Sequence, residues 1–395
     1  MARTSRARAR KRSPSKVALV CAGGGITGAV YEIGCLRALE ELLGRSVGDL
    51  DLYVGVSGGA FVSALLANGT SAHEMYDAVM APAGGLDDPT GALFRLGAGE
   101  YWRRSLQAPR VLAAAALRLL SGEGRDWSEA AWALFELLPP GLLDNSGIEE
   151  YLARTFAARG RTNEFASLGK ALHVIAVDLD RGDAVDFGPG GDTSVTISKA
   201  VQASTALPGL YRPVRIGGRD YVDGAVKKTA HINLAIASGA DLVICVNPIV
   251  PLDNRAGAVA SHLSAKGVTY VLDQVLRIAL HGRMQYGLER YRAEHPEVDI
   301  LLLEPTRDDL RMFRYNIMRY SARRVVAAHA YASTVQAFAA RQTEYRTLLK
   351  RHGIALRDPR GVPAAPPSAP PRSGVARALS GSLDALSSAL RRKAG

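Results

Sequence analysis

Twice within the first seventy residues a short apolar run stops at a cluster of small residues and gives way to helical apolar spacing. Residues 17–22 (VALVCA) run into Gly23-Gly24-Gly25, after which Val30, Ile33, Leu36, Leu39 and Leu43 follow a helical rhythm. Residues 52–56 (LYVGV) run into Ser57-Gly58-Gly59 and then into FVSALLANG. A strand too short and too apolar for an amphipathic role, followed at once by a helix, must be buried on both faces. That requirement selects an α/β fold with a largely parallel sheet. Further strand candidates lie at 171–179, in the VRI and YV pieces around 214–222, at 241–248 and at 299–305.

Charge divides the chain more sharply than hydropathy does. The formal net charge is +11. Residues 1–16 carry seven basic side chains and no acid, and residues 357–395 carry seven basic and two acidic. The body, 17–356, is neutral to within one charge. A nucleic-acid-binding core would need a basic face of its own, so nucleic acid is excluded as the body's partner. Basic ends on a neutral body suit an acidic surface, either membrane or nucleic acid. Cys21, Cys35 and Cys245 are too few and too scattered for a disulfide framework, which fits a reducing, cytoplasmic setting. Four glycines interrupt the apolar stretch after the basic start, which argues against a signal peptide. No uninterrupted run approaches the ~20 residues of a spanning helix, so any meeting with a membrane is expected at its surface.

Composition sets the expected boundaries. Residues 1–16 read as a basic disordered arm and 17–306 as the catalytic domain. Within it, 90–160 is apolar, bears Trp102, Trp127 and Trp132, and shows no clear strand, so it reads as a helical insertion or cap. Residues 307–356 read as a helical C-terminal extension opened by Asp308 and Asp309. The Pro/Ala-rich stretch 357–374 is a linker. Beyond it, in 375–395, Val375, Leu379, Leu383, Leu386 and Leu390 mark an amphipathic basic helix fit for a membrane or a partner.

Three segments carry chemistry. Gly23-Gly24-Gly25-Ile26-Thr27-Gly28 satisfies G-x-G-x-x-G, yet the acidic residue a dinucleotide site needs at the end of the second strand is missing. That strand ends instead in Gly55-Val56-Ser57-Gly58-Gly59, a G-x-S-x-G that puts a serine on a tight strand-to-helix turn. Without Cβ atoms, Gly24 and Gly25 let backbone N–H groups approach a substrate oxygen, so the first loop can act as an oxyanion hole for the second. The third segment, Tyr221-Val222-Asp223-Gly224-Ala225, offers a strand-end carboxylate as base. No H-x-x-x-H or C-x-x-C spacing suggests a metal, and no cofactor is expected.

Together with A-S-T-A-L-P-G at 203–209, these motifs resemble those of the patatin-like phospholipases, in the same order, over roughly residues 16–250. The resemblance implies a three-layer α/β/α fold with a mostly parallel central sheet, here followed by C-terminal helices. It implies a serine lipid acyl hydrolase of phospholipase A, lysophospholipase or esterase type, working through an acyl-enzyme. By residue, it implies Ser57 as nucleophile, Asp223 as base, and Gly23, Gly24, Gly25 and Gly28 as the oxyanion loop. Gly55 and Gly59 fall on the nucleophile elbow and Gly224 on the base loop. The chain departs from the family pattern at Thr27, where a cation is common, at Ala225, where glycine is common, and at His231, where proline is common. Two other readings stay open from the residues alone: a Ser–His–Asp esterase using His231, and a membrane-binding module with a vestigial site.

Overall fold

The computed structural model describes residues 15–81, 95–96, 113, 139–255, 262–313 and 318–363. The basic arm up to residue 14, residues 97–112 and 114–138 of the expected cap with all three tryptophans, and everything after 363 lie outside the described residues.

Both strand–glycine–helix units form. β1 (Val17–Cys21) leads into α1 (Gly25–Leu43), and β2 (Leu52–Val56) leads into α2 (Gly58–Ala67) and α3 (Ala72–Met80). β3 (Arg95–Leu96), β4 (Gly141–Asp144) and α4 (Ser146–Ala158) precede β5 (Ala171–Asp178), β6 (Asp183–Phe187) and α5 (Ile197–Ser204). Then come β7 (Gly209–Tyr211), β8 (Val214–Ile216), β9 (Arg219–Asp223), α6 (Ile232–Ala237) and β10 (Leu242–Val246). A long α7 (Val268–Glu294), β11 (Asp299–Leu303), α8 (Leu310–Phe313), α9 (Arg323–Ala340) and α10 (Gln342–Arg351) complete the described chain.

The main sheet has the parallel order β11-β10-β1-β2-β5, extended by antiparallel β6, β9 and β8. β1 shows how it is buried. Val17, Leu19 and Cys21 enter one apolar core with α1, α2, α3 and α9, while Ala18 and Val20 enter another with α6 and α7. The result is three layers, helices on both faces of one sheet, as the sequence predicts.

α1 differs from its predicted amphipathic face. It is enclosed by the sheet and by neighbouring helices, so Tyr31, Glu32 and Arg37 are buried along with the apolar stripe. One further expectation is corrected. The 90–160 stretch does contain strands: β3 pairs with β4, and β4 with β7, in a small second sheet. The C-terminal extension holds three helices among the described residues, and Asp309 caps its start by accepting from the Arg311 and Met312 amides at 3.1 and 3.2 Å.

Candidate active site

β5 organises the site. β2 pairs with its residues 171–175 and β9 with 176–178, while β6 runs along 174–178. Because β6 occupies one flank, β2 and β9 must share the other. They run toward each other along it, so their C-terminal ends meet: Val56 lies opposite Ile175, and Asp223 opposite the adjacent Ala176. The residue after Val56 is Ser57. Two segments 166 positions apart in sequence thus deliver a hydroxyl and a carboxylate to one point.

The turn that carries Ser57 is strained. Ser57 has φ 53° and ψ −124°, and among the described residues it alone has a positive φ without being glycine. Its neighbours must be glycine for a steric reason. A Cβ on Gly55 would come within 2.5 Å of the Ala60 Cα, and one on Gly59 within 2.3 Å of the Cys21 carbonyl oxygen. The Ser57 amide donates to the Ser204 hydroxyl at 2.9 Å, and that hydroxyl donates to the Ile175 carbonyl at 2.6 Å. Ser204 therefore ties the elbow to β5. It falls inside the A-S-T-A-L-P-G motif, which marked the segment but not this residue's task.

Asp223 is buried, as is Ser57. Its Oδ1 accepts from the Ala225 amide at 2.9 Å, and its own amide donates to the Ala206 carbonyl at 3.0 Å. Burial raises its pKa to about 6, against the opposing pull of hydrogen bonds from the Ser57 hydroxyl and the Ala225 amide. A Cβ on Gly224 would meet the Ile175 carbonyl oxygen at 2.3 Å, so that residue too must be small.

The four glycines of the first loop divide into two pairs. The Gly23 amide donates to the Thr229 carbonyl at 3.1 Å and the Gly28 amide to the Gly24 carbonyl at 2.9 Å. Neither is free to receive a substrate oxygen. Gly24 and Gly25, at the N-terminus of α1, keep amides with no acceptor among the described residues, and both face the Ser57–Asp223 cavity. Gly23 and Gly28 supply room: their added Cβ atoms would come within 2.9 Å of the Ala225 Cβ and 3.0 Å of Pro248. Ala225, one of the sequence departures, is thus accommodated by a bare Gly23.

His231 is brought to neither partner. Burial, with Lys228 nearby, lowers its pKa to about 4, so the ring is neutral at pH 7. Among the described residues its Nε2 has no hydrogen-bond partner, and no hydrogen bond joins it to Ser57 or Asp223.

Two cavities meet at Ser57. The larger, about 250 Å³, is mostly apolar and runs past Val30, Phe61, Leu65, Val79 and Ile148. The smaller, about 190 Å³, contains Asp223, Gly24 and Gly25 and is closed on one side by Leu276, Arg277, Leu280 and Arg283 of α7. Nothing among the motifs pointed to α7. A site of this shape holds an apolar chain on one side of a nucleophile and a polar remainder on the other.

A family model described as patatin-like phospholipase matches residues 19–236. Among solved structures, the chain is similar to VipD from Legionella pneumophila, at 16% identity and a TM-score of 0.37 over 82% of this chain. It is also similar to the type III effector protein ExoU, at 15% identity and a TM-score of 0.33 over 82% of this chain. It spans 66% of the VipD chain and 53% of the ExoU chain.

Proposed function

The chain belongs to the patatin-like phospholipase family, a family of lipid hydrolases, and on that premise we propose that it cleaves carboxylic ester bonds of lipids through Ser57 and Asp223. The observation that carries this reading is a strained serine at a helix N-terminus beside a buried carboxylate whose pKa is about 6. A carboxylate with that pKa is ionised at neutral pH, yet basic enough to take a proton from a hydroxyl as it attacks.

In the proposed reaction the acyl chain occupies the larger cavity and the ester carbonyl lies over Ser57. The Ser57 Oγ bonds to the carbonyl carbon as its proton passes to Asp223. The carbonyl oxygen becomes an oxyanion, received by the amides of Gly24 and Gly25 with the positive end of α2 close by. Collapse breaks the ester C–O bond, and Asp223 gives its proton to the leaving alcohol in the smaller cavity. Water then attacks the acyl-enzyme, giving its proton to Asp223. As this second oxyanion collapses, Ser57 leaves, takes that proton back and the fatty acid departs.

Ser57→Ala and Asp223→Asn are each expected to cut ester hydrolysis by about 10³-fold or more in folded protein. A fluorophosphonate probe should label wild-type Ser57, and His231→Ala should keep most of the activity. A folded His231→Ala protein as inactive as Ser57→Ala would move the assignment to a triad. Mass spectrometry of products from mixed lipids, wild type against Ser57→Ala, would assign the lipid class and ester position.

A further inference from the structure

The first four turns of α7 are inside out. Over 268–282 the only charged residues are Asp273 and Arg277, and both turn inward. Arg277 is buried, bonds Asp273 at 2.8 Å and lies over the Phe313 ring. Gln274 is also turned in, exchanging hydrogen bonds with the Leu252 backbone. The apolar side chains point out instead: Val268 is 69% exposed, Leu272 62%, Val275 55% and Ile278 54%. Their spacing puts them on one helical face. A continuous exposed apolar stripe of this kind marks an interaction surface.

Its position says what kind. Leu276, Arg277, Leu280 and Arg283 of the same helix line the smaller cavity, which holds Ser57 and Asp223. Whatever covers the stripe therefore borders the mouth of the site. A protein seated there would obstruct it, whereas a lipid surface would feed it. The charges flanking the stripe agree. Lys266 stands just before the helix and Arg283 just after the stripe, with Lys228 near the far end, and none has a carboxylate partner among the described residues. Arg283 donates only to the carbonyls of Val226 and Lys227, at 2.7 and 3.4 Å, so its charge is not neutralised.

We propose that the outward face of α7 from Val268 to Ile278 docks on an anionic lipid bilayer and presents the Ser57 cavity to it, with Arg283 facing the head-group phosphates. This rests on the lipid-hydrolase reading for its purpose, but its test does not. α7 lies beyond the segment matched by the family model, residues 19–236.

The test uses the full chain and vesicles of phosphatidylcholine with phosphatidylglycerol. Val275→Glu combined with Ile278→Glu should lower vesicle co-sedimentation about tenfold, because two carboxylates would enter the apolar interface. Hydrolysis of vesicle phospholipid should fall with it, while hydrolysis of dissolved p-nitrophenyl butyrate stays near wild type, since neither residue lines a cavity. The conservative pair Val275→Leu and Ile278→Leu should restore binding. The proposal is overturned if the glutamate variant binds vesicles like wild type. It is equally overturned if wild type is a dimer in sedimentation that those glutamates dissociate, which would make the face a contact between copies. If wild type hydrolyses neither substrate, the hydrolase reading fails, and co-sedimentation still decides the docking.

Discussion

At the scale of single residues, the site holds two groups in unfavourable states. Ser57 is fixed at a positive φ, and Asp223 is a buried carboxylate. Both cost stability, and both suit the proposed chemistry. Asp223 has a pKa raised from 3.8 to about 6. Below 3.8 the folded and unfolded chains both hold this proton, so the group is neutral in its effect. Between 3.8 and 6 the unfolded chain releases the proton while the folded one keeps it, and stability falls as pH rises. Above 6 the penalty is complete. Asp223→Asn, which cannot ionise, should therefore be more stable than wild type by about 3 kcal/mol at pH 7. The gain should shrink to nothing below about pH 4, as read from urea unfolding across pH. In wild type the same group should set an acid limb in kcat/KM near pH 6. An Asn variant no more stable than wild type at pH 7 would count against a raised pKa.

At the scale of elements, the decisive arrangement is two strands meeting end to end on one flank of β5. The sequence shows that β2 ends in serine and β9 in aspartate, but pairing register is a property of the sheet. Helix crossing is another such property. α1 packs on α9 so closely that a Cβ on Gly34 would come within 2.4 Å of the Ala327 carbonyl oxygen and 2.8 Å of the Ala330 Cβ. Alanine is the better helix former, so propensity alone predicts that Gly34→Ala stabilises α1. The crossing predicts the opposite, a loss of about 1–3 kcal/mol, because two helices must separate to admit a methyl group. Equilibrium unfolding of this variant tells which effect wins. α7 repeats the lesson, since its apolar residues look like core in the sequence and turn outward in the fold.

At the scale of the whole molecule, the neutral body and the basic ends suggest two modes of lipid contact with different physics. By the expectation from the sequence, the basic side chains of residues 1–16 and 375–395 would attract anionic lipid by charge, an effect that salt screens within about 3 Å at 1 M. The α7 stripe acts by apolar burial, which salt does not weaken. Deleting both ends is expected to reduce binding to anionic vesicles at low salt. The part of that difference owed to charge should disappear near 1 M salt, leaving the apolar contributions of 375–395 and of Val275 and Ile278. Deletions without effect at low salt would remove the ends from the account. Lys266 and Arg283 beside the stripe would then be the charges that matter.

The sequence by itself determined the layer architecture, because runs such as 17–22 and 52–56 have no stable place except the middle of a parallel sheet. It also determined which residues could carry the chemistry, because Ser57 between small residues and Asp223 before glycine are local signals. It left open what the Gly23 amide bonds, what Ser204 does, whether His231 approaches the nucleophile, and which way α7 faces. Each of those depends on partners far away in the chain: Thr229 for Gly23, Ile175 for Ser204, Leu252 for the inward side of α7. Local pattern records what a residue can do. Only the tertiary contacts decide which hydrogen bonds are already taken and which faces are already covered.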